Sequence, residues 1–300
     1  MPLSPSSRLL VTGGSGRLGR AVVTHLLDSL CVDPQCLVVG TRKPQDLEEV
    51  SARGVEVRRY DLLDESTFLP VLNGVSRVLL ISTHSDNEPS FKNLLSTMAN
   101  TSSVEHVLYT SFYGVDTSTA LFAPCFRNAE DALRESKLPS ITLLRNGYYC
   151  EVVMPAFTAA LKTGKWYSAA GDGRVTYVSI DALALANATA LAGAKPVPEV
   201  VTLTGVESLS IDEVVERFNG VLGTNFEVVH TSQDILAEFL AAHTQLPPFV
   251  ANIVASIDTS VVPGDVAVVT HDYEKLVGEK PQTHLQWLKA NKAKLLSMQE

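Results

Sequence analysis

The chain is short of the residues that several common functions need. Its four cysteines, Cys31, Cys36, Cys125 and Cys150, show no Cys-x-x-Cys spacing and no paired framework. That argues against a zinc ribbon or a disulfide-stapled scaffold and predicts reduced thiols in a cytoplasmic protein. Basic residues are outnumbered, 24 Lys and Arg against 33 Asp and Glu, for a formal charge of −9. Binding to a nucleic-acid backbone needs cations that displace its counterions, so no nucleic-acid partner is expected. No apolar run reaches the roughly 18 residues of a membrane span. The opening MPLSPSSR lacks the basic start and apolar stretch of a secretory signal. Metal-ligand spacing is also missing: His25, His106, His230 and His243 fall singly in helix or strand patterns, so no metal is expected.

What is present is a globular composition, 45% hydrophobic and 19% charged, with apolar side chains enough for one large core or two fused ones. Short β-branched runs occupy residues 9–12, 36–40, 55–60, 77–82, 106–111 and 141–145. Between them lie 17–30, 44–52, 66–72, 90–100 and 127–136, where apolar residues recur every three or four positions. RLLV, CLVV and RVLLI are almost continuously apolar, as strands buried on both faces are. The pattern predicts an α/β fold with a doubly wound parallel sheet.

Past Tyr149 the rhythm changes. Ser179 or Asp181 is placed to cap one helix, Ser210 and Glu213 form a capping box for another, Pro247-Pro248 breaks a third, and Thr283 caps the last. The expected division is a first lobe over residues 1–150 and a smaller α+β lobe over 151–300. The second is interleaved with the sheet and lies as a lid on its carboxyl edge.

The most chemical stretch is LLVTGGSGRLGRAVV, a strand that breaks into glycines and resumes as a helix. Gly13, Gly16 and Gly19 have the spacing G-x-x-G-x-x-G. Gly13 permits a sharp turn out of the strand, Gly16 a close approach of backbone to a pyrophosphate, and Gly19 close packing of helix on sheet. The free N–H groups and dipole of the helix N-terminus complete an anion cradle from Thr12, Gly13, Gly14, Ser15, Gly16, Arg17, Leu18 and Gly19. The second strand ends in Thr41, Arg42 and Lys43, without the carboxylate that an NAD ribose usually meets. Two cations beside a hydroxyl suit a 2′-phosphate, so NADP(H) is the expected cofactor. Tyr60 and Asp61 would hold the adenine, with Leu62 a further cofactor contact, Ser82 and Thr83 would lie under the bridging sugars, and Ser111 at the nicotinamide end.

VTGGSGRLG, LLIST, VLYTSFYG, LLRNGYYCE and AAGDG, in this order, resemble the NmrA-like branch of atypical short-chain dehydrogenases, and within it the quinone and triphenylmethane reductase group. The resemblance runs from about residue 8 to 205. It implies a Rossmann-type fold, NADPH, a small C-terminal substrate domain, and the segment Asn146-Gly147-Tyr148-Tyr149 beside the nicotinamide.

The chain departs from the wider superfamily at its proton donor. Aligned on ITLLRNG, the lysine of Tyr-x-x-x-Lys falls on Arg127 and the tyrosine on Ala123, within APCFRNAED. An arginine does not exchange its proton, although Arg127 could hold a ribose or a carbonyl oxygen. Reduction at an isolated carbonyl needs a delivered proton. Quinones, enones and iminium ions spread the electron demand, so a planar conjugated small molecule is the expected substrate. Ser111, Tyr113 and Tyr149 are the candidate catalytic groups with Arg127; Tyr148 is a further phenol, and Asp116 and His84 are weaker candidates. Two alternatives stay open: an NADP(H) enzyme of a fungal-type natural-product pathway that couples redox to cyclisation, and a non-catalytic dinucleotide sensor. A monomer or homodimer is expected.

Overall fold

The apolar runs become parallel strands with helices on both sides. A computed structural model describes residues 8–83, 86, 89–193 and 197–298. The first half runs β1 (Arg8–Val11), α1 (Arg17–Thr24), β2 (Leu37–Thr41), α2 (Glu48–Ser51), β3 (Glu56–Arg59), α3 (Phe68–Leu72), β4 (Val75–Leu80), α4 (Pro89–Ala99), β5 (His106–Phe112), α5 (Ala123–Glu135) and β6 (Ile141–Asn146). The second half runs β7 (Tyr148–Tyr149), α6 (Met154–Thr163), β8 (Lys165–Ser168), β9 (Arg174–Val175), β10 (Tyr177–Val178), α7 (Ile180–Ala192), β11 (Val200–Leu203), β12 (Leu209–Ser210), α8 (Ile211–Leu222), β13 (Glu227–His230), α9 (Gln233–His243), α10 (Pro248–Thr259), α11 (Asp272–Val277), α12 (His284–Ala290) and α13 (Lys292–Leu296).

Seven strands form one parallel sheet in the order β11-β6-β5-β4-β1-β2-β3. Leu9, Leu10 and Val11 of β1 pair with Leu37, Val38 and Val39 of β2. Strand alternation divides these residues between two cores. Leu9, Val11 and Val39 pack with α1, α7 and α11 on one face; Leu10, Val38 and Val78 pack with α3, α4 and α5 on the other. The strand order reverses between β1 and β4, and in open α/β sheets the ligand crevice lies outside the carboxyl ends at that point.

The chain beyond residue 150 serves two layers. It supplies the edge strand β11 and the covering helix α7 to the sheet, and it builds a separate aromatic core around Phe157, Trp166 and Phe218. Ser179 caps α7 by accepting from the Ala182 N–H, whereas Asp181 pairs with His25 at 3.0 Å. Ser210 with Glu213, and Thr283 with Gln286, both close capping boxes.

Two expected helices are shaped differently. The stretch 17–30 is α1 followed by a single π turn over His25–Ser29. The helix expected from Arg127 starts four residues sooner, at Ala123, because Pro124 lies in the first turn where its missing N–H has no acceptor to lose.

Candidate active site

The glycine loop is held by contacts that a side chain would break. Gly13 has φ +63°, a left-handed turn that favours glycine. A Cβ on Gly14 would fall 2.0 Å from Val39 Cγ1 on β2, and one on Gly19 would fall 2.3 Å from the Gly13 carbonyl oxygen. Gly19 thus lets α1 sit against the loop's own backbone, and Gly14 lets the loop cross β2. At Gly16 a Cβ would meet the Gly13 oxygen at 3.2 Å and otherwise open space. Gly16 is also the N-cap of α1, and no side chain caps that end. The helix therefore points uncapped N–H groups at the crevice.

The polar neighbours of the loop are arranged by the strands. Thr12 Oγ1 donates to the Leu79 carbonyl at 3.3 Å and accepts from the Ile81 N–H at 2.9 Å, which clasps β1 to the end of β4. Thr41 Oγ1 donates to Ser15 Oγ at 3.1 Å and so ties the end of β2 to the loop. Arg42 and Lys43 extend outward, exposed and without an ion-pair partner among the described residues. Arg20, which sequence reasoning passed over, bridges this corner: its guanidinium donates to the Ser15 and Asp46 carbonyls and pairs with Glu49. Arg17 is exposed at the loop, while Leu18 and Leu62 are buried in the two cores.

At the other end of the crevice the sheet opens into a cavity of about 220 Å³, lined by Ser82, Ser111, Asn146, Gly147, Tyr148 and Tyr149 on the strand side. Phe112, Phe122 and Phe126 form its aromatic wall, with ring centroids 5.0–5.7 Å apart and steep edge-to-face angles. Val152 and Ile257 close it from the C-terminal lobe. Two buried polar atoms here have no hydrogen-bond partner among the described residues: Ser111 Oγ and Asn146 Nδ2. Unsatisfied buried polar groups are costly and rare.

Asn187 fixes one of them. It is fully buried in the otherwise Ala- and Leu-rich α7, and its amide donates to Asn146 Oδ1 at 3.3 Å and to the Leu183 carbonyl at 2.6 Å. That bond sets the Asn146 amide so that, among the described residues, its Nδ2 has no partner within hydrogen-bond distance and faces the Tyr149 phenol, the one group it acts on. Burial raises the phenol of Tyr149, and the Asn146 side chain beside it acts in the opposite direction. Burial likewise raises the Tyr148 phenol, whose hydroxyl lies 3.0 Å from Ser260 Oγ.

Several candidates stand elsewhere. Arg127 donates to the Val115 and Ser118 carbonyls, both at 3.0 Å, so its guanidinium braces the loop before α5 and does not line the cavity. Asp116 is bound twice by Arg145, which also holds the buried Glu130. Tyr113 sits next to the cavity, its N–H donating to the Asn146 carbonyl at 2.7 Å, but its ring is not part of the wall. Asp61 Oδ1 accepts from the Leu63 N–H at 3.1 Å and shapes its own turn. Thr83 bonds Asp86 through both its N–H and its hydroxyl, and Tyr109 donates to the same carboxylate at 2.8 Å. His84 lies outside the described residues. No His, Cys, Asp and Glu cluster suited to a metal occurs among the described residues, and none of their helices is long and apolar enough to cross a membrane.

The residues that sequence reasoning missed are Phe112, Phe122, Phe126, Val152, Ile257 and Asn187. The i, i+4 pair Phe122 and Phe126 was a signal for one aromatic face. Nothing local marks Ile257, which reaches the cavity from more than a hundred residues away.

The chain is 28% identical over 279 residues to quinone oxidoreductase 2 of Escherichia coli, covering 92% of this chain and 95% of that one. The crystal structure of the Escherichia coli NADPH-dependent quinone oxidoreductase complexed with NADPH is similar at a TM-score of 0.87 and 27% identity, over 94% of this chain and 99% of that one. Triphenylmethane reductase of Citrobacter sp. complexed with NADP(H) is similar at 0.83 and 26%, over 96% and 100%. The model of the NmrA-like family matches residues 5–287. The chain belongs to the NmrA-like family.

Proposed function

We propose that this protein is an NADPH-dependent reductase of planar, conjugated small molecules, quinones among them. The observation that carries this reading is that a glycine loop with an uncapped helix start stands at one end of a crevice whose other end is an aromatic-walled cavity, where Ser111 Oγ and Asn146 Nδ2 lack hydrogen-bond partners among the described residues. The residues present fit the dinucleotide. The uncapped start of α1, with Gly13, Gly14 and Gly16, suits a pyrophosphate; unpaired Arg42 and Lys43 suit a 2′-phosphate. The two orphaned groups suit a carboxamide, which offers both an acceptor and a donor. The named relatives, a quinone reductase and a triphenylmethane reductase with solved NADPH or NADP(H) complexes, support the same cofactor and acceptor class.

When bound, NADPH supplies a hydride. The chain's own residues orient the partners and exclude water. Ser111 and Asn146, the latter set by Asn187, hold the edge of the nicotinamide ring. Phe112, Phe122 and Phe126 stack the flat acceptor, and Val152 and Ile257 shield it. Alignment in a dry site supplies most of the acceleration, since a conjugated acceptor delocalises incoming charge.

The test is a fluorescence titration with NADPH and NADH, followed by turnover of menadione and an enone at the nicotinamide absorbance band. Tight NADPH binding with menadione reduction is expected. Binding with no turnover of any conjugated acceptor would point to a dinucleotide sensor instead.

A further inference from the structure

Behind the aromatic cavity lies a second, smaller polar feature. A hollow of about 10 Å³ is bounded by Tyr148, Tyr177 and Asp258, and shares Tyr148, Val152 and Ile257 with the cavity in front. It has room for a single water, with three polar groups to hold it. Asp258 stands on α10. Its Oδ2 accepts from the Ser168 hydroxyl at 2.7 Å and from the Ala169 N–H at 3.1 Å. Those bonds clasp α10 to β8 and account for one carboxyl oxygen. Oδ1 has no partner among the described residues.

Among the described residues no lysine, arginine or histidine is paired with this carboxyl. The titratable groups that face it from the packed elements are Tyr148 of β7, Tyr177 of β10 and, across a neighbouring hollow, Tyr167 of β8. Burial pushes the Asp258 carboxyl up. Burial also raises Tyr148 and Tyr177, with the Asp258 charge as a further cause for each. Ser260 Oγ donates to the Ile257 carbonyl at 2.7 Å and therefore accepts from the Tyr148 hydroxyl at 3.0 Å.

We propose that Asp258 is the acid that resupplies the proton for acceptor reduction, acting through a water in the hollow and the Tyr148 phenol. This rests on the reductase reading above. A quinone that becomes a hydroquinone gains a hydride, which the reduced dinucleotide of that reading provides, and one proton. The Tyr148 hydroxyl rotates from Ser260 Oγ to the acceptor, and its O–H bond breaks as the new O–H bond forms there. The water returns a proton to Tyr148 and takes one from the Asp258 carboxyl. The carboxylate that remains recovers its proton from solvent after product leaves. The arrangement supplies what the missing Tyr-x-x-x-Lys pair would have supplied, from the opposite wall of the site.

The experiment is a kcat–pH profile for menadione with wild type, Asp258→Asn and Tyr148→Phe, together with carbon-13 NMR titration of aspartate carboxyls in the protein without cofactor. An acid must be protonated to act, so wild-type kcat should fall as pH rises through the Asp258 pKa. Asp258→Asn keeps acceptors for the Ser168 and Ala169 bonds but should lose that limb, with kcat at low pH down about 100-fold, the lower end of what a positioned acid contributes. Tyr148→Phe should lose the same limb, yet leave a carboxyl signal, absent from Asp258→Asn, titrating above the usual carboxylate range. An unchanged limb in either variant, or an Asp258 carboxyl that titrates in the ordinary range, overturns the relay and leaves the reductase reading intact. Wild type that binds NADPH but does not reduce menadione or the enone overturns that reading, and the relay with it.

Discussion

The two ends of the crevice are built from different materials. At the glycine loop the constraint is on the backbone: a Cβ at Gly14 or Gly19 collides within 2.3 Å, and Gly13 needs a left-handed turn. The residues involved span a single strand-to-helix turn. At the cavity the constraint is on side chains, gathered from β5, α5, β6, β7 and α10. Recognition of a phosphate by main chain is compact in sequence and repetitive in form. Recognition of a flat ring by side chains is dispersed, and has no form until the fold brings its parts together.

The sharpest way to break that comparison is Gly19→Ala. The new methyl meets a backbone oxygen that cannot rotate away, so the loop itself must shift. Overpacking of this kind costs about 1–3 kcal/mol. A cradle displaced by as much should bind NADPH roughly 10- to 100-fold more weakly. Cofactor fluorescence reads the affinity and a thermal melt reads the fold. Unchanged affinity would show that the main chain of this loop is not where the phosphates lie.

Arg42→Ala should have a smaller and more selective effect. The side chain is exposed and unpaired, so its removal leaves the fold alone. A charge-assisted hydrogen bond contributes about 1.5–3 kcal/mol, so NADPH affinity should fall by roughly tenfold or more while NADH affinity stays the same. Equal losses for the two cofactors would assign Arg42 to the shared part of the dinucleotide.

These two variants concern the half of the site that was legible in sequence. The strand, GGSGRLG and the helix marked the loop, and the continuous apolar runs a parallel sheet, because both are local signals. The basic TRK corner was equally local. On the cavity side Ser111 was legible as the end of a strand, and Asn146, Tyr148 and Tyr149 only through the family resemblance of LLRNGYYCE. Arg127 was not, since a motif position records where a residue sits on a helix and not which carbonyls its head finds. Asn187 and Asp258 were invisible for the opposite reason. Each is an ordinary polar residue on an apolar helix until tertiary packing gives it a partner.

The comparison extends to acid stability. His284 is fully buried among Tyr177, Phe218 and Trp287, with neither ring nitrogen partnered, and burial lowers its pKa from 6.5 to about 4. In the sheet half, burial lowers His106 to about 4 as well, although Thr142 Oγ1 lies 2.9 Å from its Nε2. Between those values the unfolded chain binds a proton that the native chain does not, so stability is complete above about 6.5 and falls as pH drops toward 4. Each histidine contributes at most roughly 3 kcal/mol over that window. His284→Phe, which keeps the aromatic packing, should flatten the slope of stability against pH by one proton and leave the His106 share. Urea melts of wild type and His284→Phe at several pH values between 5 and 6.5 isolate the His284 share, because Glu56, held at about 2 by Arg58 and Arg8, loses its contribution mainly as pH falls from about 4.5.

The smallest expected effect isolates backbone entropy from contact. Gly220 lies in α8, where a Cβ would meet nothing within 4 Å, the reverse of Gly19 on α1. Both glycines are helical, and a helical alanine is favoured over glycine by about 1 kcal/mol when nothing obstructs it. Gly220→Ala should therefore stabilise the protein by about that amount and leave NADPH affinity unchanged, whereas Gly19→Ala loses on both measures. The pair uses one chemical change in two helices of the same molecule, so any difference in outcome belongs to the surroundings. If Gly220→Ala also weakened NADPH, α8 would have to be coupled to the crevice through the aromatic core it shares with Phe157 and Trp166, and the two halves of the site would have to be treated as one.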